Sequence, residues 1–566
     1  MVATGTSGTS GTSSRADKTG ARRTARRMAR RTNRPGSRPP TLSAALRAWV
    51  ARITPAGWVA IGACALSLAL ALQTLQGTTN DYDEGVYWQS LRAMANGHPL
   101  FSSTFSSQPP LFLLSVYPFY IIFGQSLGAA RLALVAFSVA GVAGVYIAGR
   151  ALGARGIGAV ASVLLALDPL YQHGAHTLEA ELPSVALQIW ALTTALLALR
   201  ATGRRRGWLA VVSGALLGCA LLVKLFAVAA LVPIVLYLSA PLFRRWLDEH
   251  GGQGGLRWPS WTEILAGLRQ IAPTLGLAAA GLVGVVILVL LPFIGQLGAA
   301  YDQVVRFHLV AARTDSNPLS HNLEWLRHGL VDTRLIYLPI LATLVILWRR
   351  RWLAAPLILW ALADFVTLLR QQPLFDHHIV LISPALALIA GYGVVTAWRF
   401  FRTRRGVCLP LMAVLENWRR IGLALTGALL LLACLSGALL NLRQNAKADE
   451  PEATRTLSMA IALQSVSAPG EVVVVDDQAI AALANRDVPP QLVDTSAVRI
   501  TSGYLTAPEL ETYITRNRIH VILFANGRFD LLPGFRDWVA ARYTQVQTFD
   551  HGGALFLLEP KNNAPV

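Results

Sequence analysis

The stretch TTNDYDEGVYWQ, Thr78 to Gln89, holds Asp81, Asp83 and Glu84 within four residues, directly after the apolar run AGWVAIGACALSLALALQTL. Carboxylates so placed can take up a proton, hold a hard cation, or simply cap a helix, whose N-terminal dipole favours nearby acids. A second acidic stretch, YQHGAHTLEAELPS, carries Glu179 and Glu181 between two further apolar runs. His377 and His378 follow Arg370 and Asp376 in RQQPLFDHH, and Lys224 interrupts an otherwise apolar double run. Charged groups beside apolar segments are costly unless they line a polar cavity, so these residues form a functional-site hypothesis.

The elements that must position them are read from composition. Of 566 residues, 54% are hydrophobic and 14% charged, whereas roughly a quarter of a soluble domain is charged. Apolar runs near the ~20 residues that cross a bilayer recur up to residue 440. Eleven spans are expected, near 56–75, 127–149, 156–171, 181–199, 207–223, 225–243, 272–296, 333–348, 354–370, 377–397 and 420–440. The formal net charge of +19 does not indicate nucleic-acid binding. Its excess sits in the first 55 residues and in short loops such as RATGRRRG, WRRRW and RFFRTRRG, which marks those loops as cytoplasmic. The low-complexity GTSGTSGTSS and the Arg-rich stretch after it read as a disordered basic cytoplasmic tail over 1–55. The alternate loops, which bear the acids and histidines, then face outward. The four cysteines, Cys64, Cys219, Cys408 and Cys434, have no metal-ligand or disulfide spacing.

After about residue 445 the pattern changes. EVVVVDD and HVILFA read as short buried strands, APELETYITRNR and FRDWVAARY as helices, and TQVQTFDHGGALFLLEP as a terminal hairpin. Expected, then, is an α-helical multi-pass membrane protein, its membrane part over 56–440, with a small extracytoplasmic α/β C-terminal domain over 445–566. No glycine-rich phosphate loop is present, so nucleotide binding is not supported.

With sidedness in place, the pattern DEGVYWQSLRAMANGHPLFSSTFSSQPPLFLLSVYPFYIIFGQSLGAARL resembles the first-loop signature of the GT-C superfamily of membrane glycosyltransferases. The group in question is family 39, which includes protein O-mannosyltransferases and lipid A aminoarabinose transferases. The likeness rests on an Asp-Glu pair with a following Tyr, a Gly-x-Pro turn, a Pro-Pro-Leu stretch, and an Arg that opens the next span; LEAELPSVAL and FDHHIVLISPALALIAG also fall where such proteins have similar stretches. The resemblance implies an outward-facing site and a polyprenyl-phosphate sugar donor carried in the membrane. The implied acceptor is a lipid, glycan or protein outside the cell.

Under that resemblance the Asp of the Asp-Glu pair maps onto Asp83 and the adjacent acid onto Glu84. The acid of the next outer loop maps onto Glu181, ahead of Glu179. Transfer from a polyprenyl phosphate needs a base for the acceptor hydroxyl and cations for the departing phosphate. Asp83 is the expected base. Glu84 and Glu181 are expected to orient it, or Glu181 to share a divalent cation, Mg or Mn, with Asp83. The phosphate candidates are Lys224, Arg131, Arg370, His377 and His378, with Arg306 and His308 as weaker ones. Asp81 is expected as a helix cap, Asp364 as a partner within a span, and His173 and His176 as loop residues. Asp476 and Asp477 are expected in turn chemistry. Two readings from other classes compete: a transporter, for which the sequence lacks internal repeats, and a non-catalytic envelope assembly or sensor protein, which would tolerate loss of Asp83.

Overall fold

The computed structural model describes residues 53–73, 75–76, 81–250, 261–314, 319–403 and 450–558; the basic tail before residue 53, Cys408, Cys434 and the expected span at 420–440 lie outside them. Eight helical runs among the described residues are long and apolar enough to cross a membrane, as a chain of this composition requires. They include helices α1 (Pro55–Gln73), α4 (Leu127–Ala151), α7 (Glu181–Leu199) and α8 (Gly203–Val223). Later in the chain come α9 (Leu231–His250), α10 (Trp261–Leu290), α12 (Ala355–Arg370) and α13 (Ser383–Thr403). Three shorter apolar helices accompany them: α3 (Leu111–Ile122), α5 (Arg155–Ala166) and α11 (Tyr337–Trp348). Between α1 and α3 lies the amphipathic α2 (Tyr82–Ala95), and between α5 and α7 the short α6 (Pro169–His176).

Local chemistry sets the boundaries. The span expected at 156–171 is cut at Ala166, because the Asp168 carboxylate accepts from the Leu170 amide at 2.9 Å and, with Pro169 at the first position, starts α6 afresh. The apolar run Leu265–Thr314 is 50 residues long, several tens of ångströms beyond the ~30 Å of a bilayer core at 1.5 Å per residue. It therefore breaks, at Leu291–Gln296, where Phe293 leaves helical geometry next to a proline. Helices α8 and α10 pack with their backbones close together, since a Cβ on Gly214 would stand 1.8 Å from the Ala278 carbonyl oxygen. Small residues at such crossings replace the hydrophobic driving force that lipid removes.

The C-terminal α/β region opens with α14 (Glu450–Val466) and holds a four-stranded sheet in the order β1-β2-β4-β3. Here β1 is Val474–Val475, β2 Val521–Phe524, β3 Thr544–Phe549 and β4 Gly553–Leu557. The first pair is parallel and the rest antiparallel, and the terminal hairpin turns at Asp550–Gly552 as expected. EVVVVDD yields only a two-residue strand. Asp476 and Asp477 end it: Asp477 caps α15 (Gln478–Leu483), accepting from the Ala479 amide at 3.1 Å.

This region is bonded directly onto α2. A Cβ on Gly85 would lie 2.4 Å from the Ala479 amide nitrogen, so only glycine lets α2 and α15 approach this closely. Gln89 Nε2 donates to the Arg486 carbonyl at 3.0 Å, and Arg92 pairs with Asp487 at 2.7 Å.

Candidate active site

Asp81 caps α2, its carboxylate accepting from the Glu84 amide at 3.2 Å. The cap sets the phase of the first turn and so sends Asp83 and Glu84 in different directions. Glu84 turns inward. It takes two hydrogen bonds from Arg131 of α4, Nε to Oε1 at 2.7 Å and Nη2 to Oε2 at 2.6 Å, and one from the Leu178 amide at 2.8 Å. Both side chains are buried and neither lines a cavity that Asp83 shares. The geometry makes this pair a bracket that ties α2 to α4 and to the second acidic loop.

Asp83 instead faces a cavity of about 550 Å³. The membrane helices line one side of it with Asp81, Asp83, Lys224, His308, His377 and His378. The C-terminal region lines the other with Asp494, Ser496 and Arg528. Glu179 and Glu181 lie just behind the imidazoles. Lys224 Nζ stands 2.6 Å from Glu181 Oε1, in an extended residue that separates α8 from the next helical turn. His377 Nε2 is 3.7 Å from Glu181 Oε1 and 4.0 Å from Asp83 Oδ2, and its Nδ1 is 3.6 Å from Glu179 Oε1. His378 Nε2 is 3.4 Å from the same Glu181 oxygen. Residues more than 290 positions apart in sequence thus share one cluster.

The electrostatics follow from that crowding. Asp83 is 37% exposed and lines the cavity. Burial pushes its carboxyl up to about 6, against the opposing pull of His377 and Lys224. Burial, then Glu179 and Asp83, holds Asp81 well above the usual carboxylate range. Burial alone would also raise Glu179, but His377 and His173 bring it down to about 2. Burial would lower His173, yet Glu179, 3.7 Å away, raises it to about 9.

Other expected residues fall elsewhere. Arg370 ends α12 exposed, and its neighbour Gln371, not Arg370 itself, lines the cavity. Arg306 is exposed and pairs with Asp302 at 2.9 Å. Asp364 is fully buried in α12. His173 and His176 belong to α6 and not to a loop, their rings edge to face at 5.7 Å. Sequence reasoning did not reach Tyr82, Asp494 or Arg528. Tyr82 accepts from the Thr495 amide at 2.7 Å, a contact 413 residues away that no local pattern announces.

Among the described residues two groups of side chains could hold a metal ion, each with ligand atoms within 4.8 Å of one another: Glu181 with His377 and His378, and Asp81 with His173 and Glu179. Asp83 belongs to neither.

The helices that carry the site share one polarity. Arg131 lies at the start of α4 and Arg150 at its end. Glu181 opens α7 and Arg200 closes it. Arg204, Arg205 and Arg206 open α8 and Lys224 closes it. Fold and site together define a membrane protein with a polar, carboxylate-bearing chamber at one end of its helix bundle.

The fold has known relatives. A family model described as dolichyl-phosphate-mannose-protein mannosyltransferase matches residues 107–256. The structure of ArnT from Cupriavidus metallidurans in the apo state is similar at a TM-score of 0.59 and 17% identity, covering 92% of this chain and all of that one. The same protein bound to undecaprenyl phosphate gives 0.58 and 16%, over 91% and all of the two chains. The archaeal oligosaccharyltransferase AglB from Archaeoglobus fulgidus, in complex with an inhibitory peptide and a dolichol-phosphate, gives 0.51 and 13%, over 90% and 74%. No curated protein matches the sequence. The chain has the GT-C fold of membrane glycosyltransferases, as its first-loop pattern implied.

Proposed function

We propose that the protein transfers a sugar from an outward-facing polyprenyl-phosphate donor to an acceptor hydroxyl outside the cell, with Asp83 as general base. The observation that carries this reading is the position of Asp83. It lines the cavity beside Asp81, whose carboxylate is engaged in capping α2, while Lys224 and His377 stand on the same membrane-side wall. Asp83 takes the proton of the acceptor hydroxyl as the oxygen attacks the anomeric carbon. The bond from that carbon to the phosphate oxygen breaks, and the leaving phosphate keeps the electron pair. Lys224 and His377 balance its charge, with His378 beside them. One carboxylate suffices here because the phosphate departs as an anion and needs no general acid, unlike the leaving groups of inverting hydrolases. Glu181 holds Lys224 in place, and Glu84 with Arg131 holds the helix that presents the base. The polarity of the helices supports an outward-facing chamber, since the arginine-rich ends mark the cytoplasmic side.

For a divalent cation, Glu181, His377 and His378 form the fitting donor set, and His377 Nε2 has no hydrogen-bond partner among the described residues. Two imidazoles favour Zn or Mn over Mg. When bound, the ion would polarise a phosphate oxygen. Lys224 contacts the same Glu181 oxygen, so ammonium and cation compete there.

The test is release of free polyprenyl phosphate from sugar-charged lipid by the purified protein and by Asp83→Asn, with an acceptor pool from cell envelopes. Release by the wild type alone supports the reading; equal release by both removes Asp83 from the chemistry. Chelation followed by re-addition of Zn, Mn or Mg reports on the cation.

A further inference from the structure

We propose that Arg528 is an acceptor-binding residue, and that the C-terminal α/β region is the acceptor wall of the active site, built for the hydroxyls of a glycan. The inference rests on the transferase reading above and names the substrate class it leaves open. A chain of contacts orders the site. Lys224 touches Glu181 at 2.6 Å, Glu181 lies 3.7 Å from His377, and His377 4.0 Å from Asp83. Tyr82 immediately precedes Asp83 in sequence, and the Arg528 guanidinium lies 3.6 Å from its ring centroid. The cavity that Asp83 lines thus carries two cationic groups, Lys224 from the membrane part and Arg528 from the C-terminal region. Inversion brings the nucleophile to the face of the sugar opposite the leaving group. With the phosphate at Lys224, the acceptor approaches from the side of Arg528.

That side is organised in advance. The buried Asp476 carboxylate accepts from the amides of Ala525 at 2.6 Å, Asn526 at 3.3 Å and Phe529 at 3.3 Å. These bonds fix the loop that bears Arg528. Tyr82 is fixed from both directions, by Arg528 on its face and by Thr495 at its hydroxyl. Among the described residues Arg528 itself makes one long hydrogen bond, Nη1 to the Asp476 carbonyl at 3.5 Å, which leaves most of its five donors for a ligand. Asp494 lines the same wall. A guanidinium that donates on the same wall as a carboxylate that accepts matches sugar hydroxyls, each of which does both.

The experiment uses the full-length protein in detergent with polyprenyl-phosphate sugar carrying a radiolabel. The acceptor is the protease-treated glycan fraction of cell envelopes from the source organism, with the protein fraction as a parallel acceptor. Arg528→Ala should raise the apparent KM for the glycan fraction by about tenfold or more, the size of one or two lost hydrogen bonds to a charged donor. Binding of polyprenyl phosphate, read by tryptophan fluorescence, should stay at the wild-type Kd. Arg528→Lys keeps a cation over Tyr82 and should fall between; it is the informative variant if the alanine protein has a lowered thermal midpoint. An unchanged glycan KM in both variants overturns the proposal. So does an equal loss of polyprenyl-phosphate binding, or label that enters only the protein fraction. A wild type that moves no sugar to either fraction overturns the transferase reading and this inference with it.

Discussion

Adjacent acids at the head of α2 have opposite fates, and each fate makes a prediction. Asp83→Asn should lower transfer by about 10²–10⁴-fold, the usual contribution of a positioned base, while leaving the thermal midpoint near wild type, because Asp83 lines a cavity and meets His377 only at 4.0 Å. With its carboxyl near 6, the base is protonated and silent below that pH. The acid limb of kcat/KM should therefore rise through about pH 6 and not pH 4. His377 holds the Asp83 carboxyl down, so His377→Gln should move that limb to higher pH; a pH series of initial rates on both proteins checks the sign. Glu84 behaves otherwise. Its buried pair with Arg131 leaves an uncompensated charge when one partner is lost, worth about 3–5 kcal/mol. Arg131→Met alone should lower the melting temperature sharply in detergent. The double change Arg131→Met with Glu84→Leu should recover much of it, and failure to recover would show that Glu84 has a role beyond the pair.

The helices α2 and α15 meet where Gly85 allows Ala479 to approach. Gly85→Ala places a methyl against backbone that cannot yield, so the two helices must part, at about 1–3 kcal/mol for an overpacked contact. Faster proteolysis of the C-terminal region at unchanged detergent and temperature would report the separation, and lower transfer should accompany it because α2 carries the base. These elements also show what a sequence can reveal. The long apolar runs and the two acidic loops were legible because lipid demands continuous apolar residues and makes charge conspicuous. The helix α3 was not, since twelve residues with Pro118 inside are too short to be told from a loop. The division of labour between Asp83 and Glu84 was equally hidden: it depends on Arg131 reaching back from α4. The C-terminal residues that line the cavity lie about 400 positions downstream, and their turn chemistry, with Asp476 and Asp477 ending a strand, gave no hint that the loop they hold presents an arginine to the cavity.

At the scale of the whole molecule, the decisive property is which side of the membrane the chamber faces. A lipid-linked sugar presented outward is useless to an inward site, so orientation and function stand together. The arginine-rich ends of α4, α7 and α8 and the Arg349–Arg351 turn before α12 lie opposite the site-bearing ends of the same helices, and such asymmetry sets topology during insertion. In a background with the native cysteines replaced by serine, Thr515→Cys on the exposed face of α16 (Ala507–Asn517) should react in intact cells with a membrane-impermeant maleimide. Arg205→Cys, at the exposed basic start of α8, should react only after the cells are broken. The reverse pattern would put the cavity, Asp83 and the C-terminal region in the cytoplasm. There the charge asymmetry would be inverted and an outward-facing polyprenyl-phosphate donor could not reach Lys224. Labelling of both positions from outside would mean leaky cells, which a cytoplasmic marker enzyme detects. The expected pattern joins the arginines at one end of the bundle to the carboxylates at the other as two consequences of a single insertion event.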